Sequence, residues 1–332
     1  MTRMMHGGFT RRLMLGMLGM LGAAAAAGGV RAQSVAGGRV IRIVVPFGAG
    51  GAVDIVGRLV ARQLEAQLGQ TVVVENRTGG GGNIAMDQVA RAEPDGSTLL
   101  MASPSVVTNP HLYSNLSYDP ATQLAPIGMV GEVPAVMLAA PGFEANDARS
   151  FIAMARQRPG HFTFGSGGGG TTEHLAGELL KARAGLDLLH VPYRGGAPAM
   201  IDLQAGRISI MFSNLSGALP LLRGGQLKAL GIADQSRAPA LPDVPTITEQ
   251  GIANFNVTVW WGLMGPAGMS PQVVQRLNAT LNAGLATAEM QAALKRLSAK
   301  PIGGSADSFG ERLVREGRTW GEVIRNAGIK LD

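Results

Sequence analysis

Two glycine-rich turns hold the residues best suited to chemistry. The first is Pro46-Phe47-Gly48-Ala49-Gly50-Gly51-Ala52-Val53-Asp54, and the second is Gly165-Ser166-Gly167-Gly168-Gly169-Gly170-Thr171-Thr172. Each follows an apolar stretch and precedes an amphipathic one, the pattern of a strand–turn–helix junction. Neither contains Lys or Arg. What each offers is backbone N–H groups at the positive end of a helix, a seat for an anion. Each hydrogen bond from such an amide to a carboxylate is worth roughly 1.5–3 kcal/mol. The ligand-facing set of the first turn is Phe47, Gly48, Gly50, Gly51 and Ala52, and on this reading Gly50→Val blocks ligand approach without harming the fold. Asp54 is counted with the site as support for the loop, since its charge suits the first helical turn but not an anionic partner. In the second turn Ser166, Gly169, Thr171 and Thr172 add hydroxyls to the amides, and Thr171 or Thr172 also suits an N-cap. Ser103, just past a third strand, joins the set. A third turn, Val191-Pro192-Tyr193-Arg194-Gly195-Gly196-Ala197-Pro198, adds Gly195 and Arg194, which either meets a carboxylate or is solvated.

Other chemistries fit less well. A dinucleotide fingerprint finds Gly48 and Gly50, and Glu75 where a ribose-binding acid belongs, but Val53 holds the third glycine position. A phosphate-binding loop lacks its Gly-Lys-Ser/Thr, and a nucleophile elbow on Ser166 has Phe164 where glycine is needed. His174 and Glu178 are spaced to share a metal, with His190 as a third ligand, but the chain has only five His and no Cys. No base–nucleophile pair stands out. No catalytic residue, metal or cofactor is therefore assigned. An exported NAD-dependent oxidoreductase, a hydrolase and a ligand sensor for a two-component kinase remain the alternatives to a carboxylate-binding protein.

These turns need elements to hold them. Val40–Phe47, Thr71–Val74 and Thr98–Ala102 read as strands, separated by helices over 53–68 and 83–92, which gives a parallel α/β unit. Two short apolar stretches in Ile127–Ala139 cross to a second unit. There, strands at 162–165, 186–191, 208–212 and 227–232 alternate with helices at 150–157, 172–183 and 196–205. Val257–Met264 returns the chain, and helices over 271–286, 289–297 and 305–326 complete it. Within that returning strand, Trp260 and Trp261 point to opposite faces, so that one lines the cleft and the other the core. The expected domains are 39–135 with 256–332 as lobe 1 and 136–255 as an inserted lobe 2, joined by two crossing strands that act as a hinge.

Composition bounds the setting. Arg3, Arg11 and Arg12 precede an apolar run from Leu13 to Ala27 and a small-residue Val30-Arg31-Ala32. That is an export signal over residues 1–32, cleaved after Ala32. The run is too rich in Ala and Gly for a membrane anchor. Thr10-Arg11-Arg12-Leu13 also approaches a twin-arginine motif. Cleavage lowers the formal charge from +6 to +2. With no basic, aromatic cluster in the remainder, nucleic acid is not an expected partner.

The chain resembles the Bug-type periplasmic solute receptors of tripartite tricarboxylate transporters. The resemblance rests on VPFGAGGAVD (Val45–Asp54), VENRTGGGGN (Val74–Asn83), DGSTLLM (Asp95–Met101) and NPHLYSNLSYDPATQLAP (Asn109–Pro126). It continues through FGSGGGGTTEHL (Phe164–Leu175), HVPYRGGAPA (His190–Ala199) and LPDVPT (Leu241–Thr246), and covers residues 39–330. It implies a two-lobed, type II-like periplasmic-binding-protein fold, two parallel-sheet α/β domains closing on a small carboxylate. It also implies periplasmic localisation, a monomer, and delivery to the integral membrane subunits of a permease. The family's ligand loops map onto Phe47–Ala52 and Ser166–Thr172, with Asp54 as its acid at the first helix. Gly48-Ala49 stands where proline is common, and Gln123 where Asp is frequent.

Overall fold

A computed structural model describes Thr2 and residues 35–331; the proposed cleavage point after Ala32 and the apolar run before it lie outside this range. The described residues form ten strands: β1 (Ile41–Val45), β2 (Val72–Asn76), β3 (Thr98–Ala102), β4 (Leu124–Ala139), β5 (Thr163–Ser166), β6 (Leu189–Pro192), β7 (Ile210–Asn214), β8 (Lys228–Ala233), β9 (Thr258–Pro266) and β10 (Lys300–Pro301). The sheet runs in the order β2-β1-β3-β9-β4-β7-β5-β6, with β8 and β10 also paired to β4. At one end β1 is parallel to β2 and β3. At the other β5 is parallel to β6 and β7. The antiparallel ribbon of β4 and β9 joins the two parallel trios, giving two lobes connected by crossing strands.

The ribbon is longer than the sequence pattern suggests. Where two short stretches were expected, β4 is one strand of 16 residues. Register shifts between Pro126 and Gly128 and between Met129 and Gly131 absorb the residues that break its alternation.

Apolar side chains collect on both faces of the sheet. Val44, Leu100 and Met137 belong to one cluster. Their neighbours Val45, Leu99 and Val136 belong to the other. This is the period-two alternation of strands covered on both sides, and it explains their nearly unbroken apolar runs. Each cluster takes residues from both lobes: Phe164 and Phe212 join the first, and Ala199 and Met211 the second. The helix Ala52–Leu68 shows how the covering layer forms, burying Val56, Leu59, Val60 and Leu64 on one stripe. Several helices begin at caps readable in the sequence: Asp147, Thr171, Ser270, Thr287 and Ser305 each accept a backbone N–H within the first turn. No helix among the described residues is long and apolar enough to cross a membrane.

One charge sits inside the ribbon. Glu132 on β4 is 5 % exposed. It is held by Arg312 at 2.7 Å and Lys300 at 2.9 Å, and accepts from Thr258 Oγ1 at 3.1 Å. Lys300 also reaches Asp234, beyond β8, at 2.9 Å. The nearby cations hold the Glu132 carboxyl below its ordinary value although burial pushes the other way. Removing Glu132 leaves Arg312 with Glu316 at 2.7 Å and Lys300 with Asp234, so the cost is that of the lost charge-assisted bonds rather than of a stranded charge. Glu132→Ala is therefore expected to destabilise the protein by about 1.5–3 kcal/mol in urea titration. A loss under about 1 kcal/mol, the value of an exposed pair, would contradict this account.

Candidate functional site

The first glycine turn is held by one carboxylate. Asp54, in the first turn of helix Ala52–Leu68, is buried and accepts from Gly50 N–H (2.9 Å), Arg58 Nε (3.0 Å) and Asn76 Nδ2 (2.9 Å). Asn76, at the end of β2, also donates to the Phe47 carbonyl at 2.9 Å. The Arg58 bond is the main cause that draws the Asp54 carboxyl down to about 2, against burial and with help from Gly50 and Asn76. Asp54 thus ties turn, helix and neighbouring strand together.

The second turn is tied from beneath. Gly168 N–H donates to Ser166 Oγ at 3.1 Å, and Gly170 N–H to His174 Nδ1 at 3.1 Å. Thr171 is the N-cap of helix Thr172–Ala184, and its Oγ1 donates to the Gly168 carbonyl at 2.8 Å. Ser166 is fully buried, with its Oγ 2.7 Å from His190 Nε2.

Both turns border one cavity of about 470 Å³. Phe47, Gly51, Ala52, Ser103, Gly169, Thr171 and Thr172 line it. Gly48, Gly50, Asp54, Ser166, Arg194 and Gly195 lie outside that lining. Gly50 and Asp54 bond each other, and Gly195 N–H donates to the Gly167 carbonyl at 3.1 Å. Arg194 is exposed.

The lining includes the N-caps of four helices: Gly51 for Ala52–Leu68, Pro104 for Ser105–Leu112, Thr171 for Thr172–Ala184 and Asn214 for Leu215–Arg223. Of these only Thr171 caps its helix with its own side chain. The first-turn amides of the other three helices therefore lack a side-chain acceptor at the cap. Two of these helices, Ser105–Leu112 and Leu215–Arg223, were not read from the sequence. Each carries an internal proline, Pro110 or Pro220, which argues against a helix.

The remaining walls are mostly apolar. They come from Leu112, Tyr113, Leu175, Val259, Trp261, Trp320 and Leu331. Trp261 lines the cavity, whereas its neighbour Trp260 packs on Phe309 and donates to Glu316. Leu331 N–H donates to the Leu112 carbonyl at 3.0 Å. A Cβ on Gly170 would stand 2.7 Å from Leu331 Cδ1 and 2.9 Å from Leu112 Cδ1, so these side chains would have to shift, and its φ of +73° itself favours glycine. Among the described residues, Glu173 is the one charged side chain in the lining.

Gly51 offers the cleanest steric probe of the cavity. Gly50 has φ +83°, where valine is strained regardless of space, and it lies outside the lining, so Gly50→Val would strain the turn rather than leave the fold unharmed and block the ligand. Gly51 has φ −73° and ψ 164°, extended backbone that valine adopts. Gly51→Val is expected to fold with near-normal melting temperature and to bind small carboxylates about tenfold more weakly or worse, by calorimetry. Unchanged affinity would remove this loop from the site.

Residues 56–329 match the profile of the tripartite tricarboxylate transporter family receptor. Protein BugT of Bordetella pertussis is 34% identical over 295 residues, covering 88% of this chain and 90% of BugT. A solved R. palustris protein with adipate is 34% identical with a TM-score of 0.75, over 88% of this chain and 99% of that one. MatC from Rhodopseudomonas palustris with bound malate is 31% identical with a TM-score of 0.70, over 86% of this chain and 99% of MatC.

Proposed function

The chain belongs to the tripartite tricarboxylate transporter receptor family, and on that premise we propose that it captures a small carboxylate between its lobes and presents it to the integral membrane subunits of a permease. The observation that carries this reading is the meeting of four helix N-termini at one cavity with no cation in its lining. Such a site holds negative charge by main-chain dipoles alone. The solved relatives with adipate and malate support a carboxylate as the solute. The ligand set we assign is Phe47, Gly51, Ala52, Ser103, Gly169, Thr171 and Thr172. Asp54 and Ser166 act behind it as supports for the two loops.

We take 39–135 with 256–332 as one lobe and 136–255 as the other. The sheet order supports this division, since β4 and β9 carry the chain between the two parallel trios. Closure about that ribbon would bring both loops to the ligand, and the open form would release it. The export signal read over residues 1–32 and the family support the periplasm as its compartment, and we take it to work there as a monomer.

A thermal-shift and calorimetry panel of mono-, di- and tricarboxylates, adipate and malate included, tests the reading. At a hundredfold excess over its dissociation constant a true ligand adds about 2.7 kcal/mol of stability. A panel with no stabilising member would overturn the assignment. Glu173 makes a second, sharper prediction. Its charge faces the same cavity as the ligand's, and like charges a few ångströms apart repel by about 1 kcal/mol even in water. Glu173→Gln is expected to tighten the best carboxylate about threefold or more, with weaker binding as the contrary result.

A further inference from the structure

Beneath the second glycine loop lies a pair of histidines that the binding reading does not use. His174, on helix Thr172–Ala184, is 6 % exposed. Its ring stacks on that of His190, from β6, with centroids 3.8 Å apart and planes 7° from parallel. Phe164 of β5 packs against both rings, with its centroid 4.8 Å from that of His190 and 6.2 Å from that of His174. Each histidine grips the loop through a nitrogen. His174 Nδ1 accepts the Gly170 N–H, and His190 Nε2 lies 2.7 Å from Ser166 Oγ, which in turn accepts the Gly168 N–H.

The Gly170 bond fixes the state of His174. A ring nitrogen that accepts an N–H carries no proton of its own, so the proton of neutral His174 is on Nε2. A second proton, on Nδ1, would put two donors face to face and break the bond. It would also place a cation against the His190 ring. The charges felt by the two rings are those of Glu178, Lys181 and each other. Glu178 Oε1 is 3.9 Å from His174 Nε2 but is already paired with Lys181 at 3.0 Å. β5 contributes only uncharged Phe164 and Ser166 here. β7 and the helix Ala306–Ala327, both packed on helix Thr172–Ala184, add no charge that shifts either ring.

We propose that His174 and His190 are the positioning residues of the ligand loop, and that the Gly170 anchor holds Gly168–Thr171 in place only while the His174 ring is neutral. The inference rests on the loop being a ligand seat, as assigned above. Burial is the first cause that draws both rings down to about 4, with the Lys181 charge adding to it in each and the His174 ring acting further on His190. An unfolded histidine titrates near 6.5, so the unfolded chain takes up protons first as pH falls. Folding stability should therefore decline from about pH 6.5 to about pH 4, and the loop should let go as His174 protonates in the folded state.

Hydrogen exchange of the ligand-free protein, corrected for intrinsic rates, tests this without any ligand. Failure of the carboxylate panel and failure of this proposal are thus separate results. In the wild type, amides of 167–171 should lose protection about tenfold or more on passing below about pH 4, while β1 amides stay protected. His174→Asn places an amide oxygen where Nδ1 stands, so it keeps an acceptor for Gly170 but cannot titrate. Its loop protection should be flat with pH. Three results would overturn the proposal: flat protection in the wild type, loss shared with β1, or an unchanged step in His174→Asn. Ring carbon shifts of the wild type give a check that needs no variant. Two histidines titrating near about 4 support the proposal, and ordinary values near 6.5 sink it.

Discussion

On the function proposed above, the solute's negative charge is met by peptide dipoles rather than by side-chain cations, since no Lys or Arg lines the cavity among the described residues. That choice constrains much else. A helix end acts as an anion seat only if its first amides are uncovered and its approach is free of Cβ atoms. The open approach appears in the glycines of the two loops, and Gly51 and Asn214 leave their helices without a side-chain cap, whereas Val106 and Val107 of Ser105–Leu112 already bond the Ser103 and Pro104 carbonyls. Bare loops of glycine are floppy, however, and a floppy seat loses ordering entropy each time it binds. The supports behind the loops answer this. Asp54 fixes the first through three polar partners, and Ser166 with the paired histidines fixes the second. The supports are polar and lie behind the loops, while the loops themselves turn main chain toward the cavity.

A cation-free site also has consequences for selectivity. Arginine recognises a carboxylate by planar, bidentate geometry. Amide dipoles ask only for negative charge and room. The choice among acids then falls to the rest of the cavity, here Tyr113, Trp261, Trp320, Leu112, Leu175 and Leu331. Changing these walls alters which acid fits without dismantling the anion seat, which suits a family whose solved members hold solutes as unlike as adipate and malate.

Much of this was legible in the sequence. The strand–glycine–helix junctions at Gly48–Asp54 and Gly165–Thr172 stood out because period-two and period-3.6 patterns flank them directly. The long helices read over 53–68, 271–286 and 305–326 agree to within a residue with Ala52–Leu68, Pro271–Leu285 and Ala306–Ala327. The helices Ser105–Leu112 and Leu215–Arg223 were hidden because Pro110 and Pro220 sit inside them and they are too short to show a clear stripe. With them went two of the four helix ends at the cavity. Leu331 could not have been found at all from local pattern, because its position depends on contacts with Leu112 and Gly170 more than a hundred residues away. Asp54 was understood as a support from its charge alone, since an acid near an anion has few other uses.

The two apolar clusters lie on opposite faces of the sheet, and both extend through both lobes. The segment 136–255, which we take as the inserted lobe, is therefore no free-standing cassette. Its strands lean on β4 and β9, and its inner residues share neighbours with those of the other half. Chimaeras that graft this segment from one family member onto another would have to carry matching ribbon residues with it. Diversification by whole-lobe exchange is correspondingly hard, which leaves point changes in the cavity wall as the open evolutionary route to new solutes.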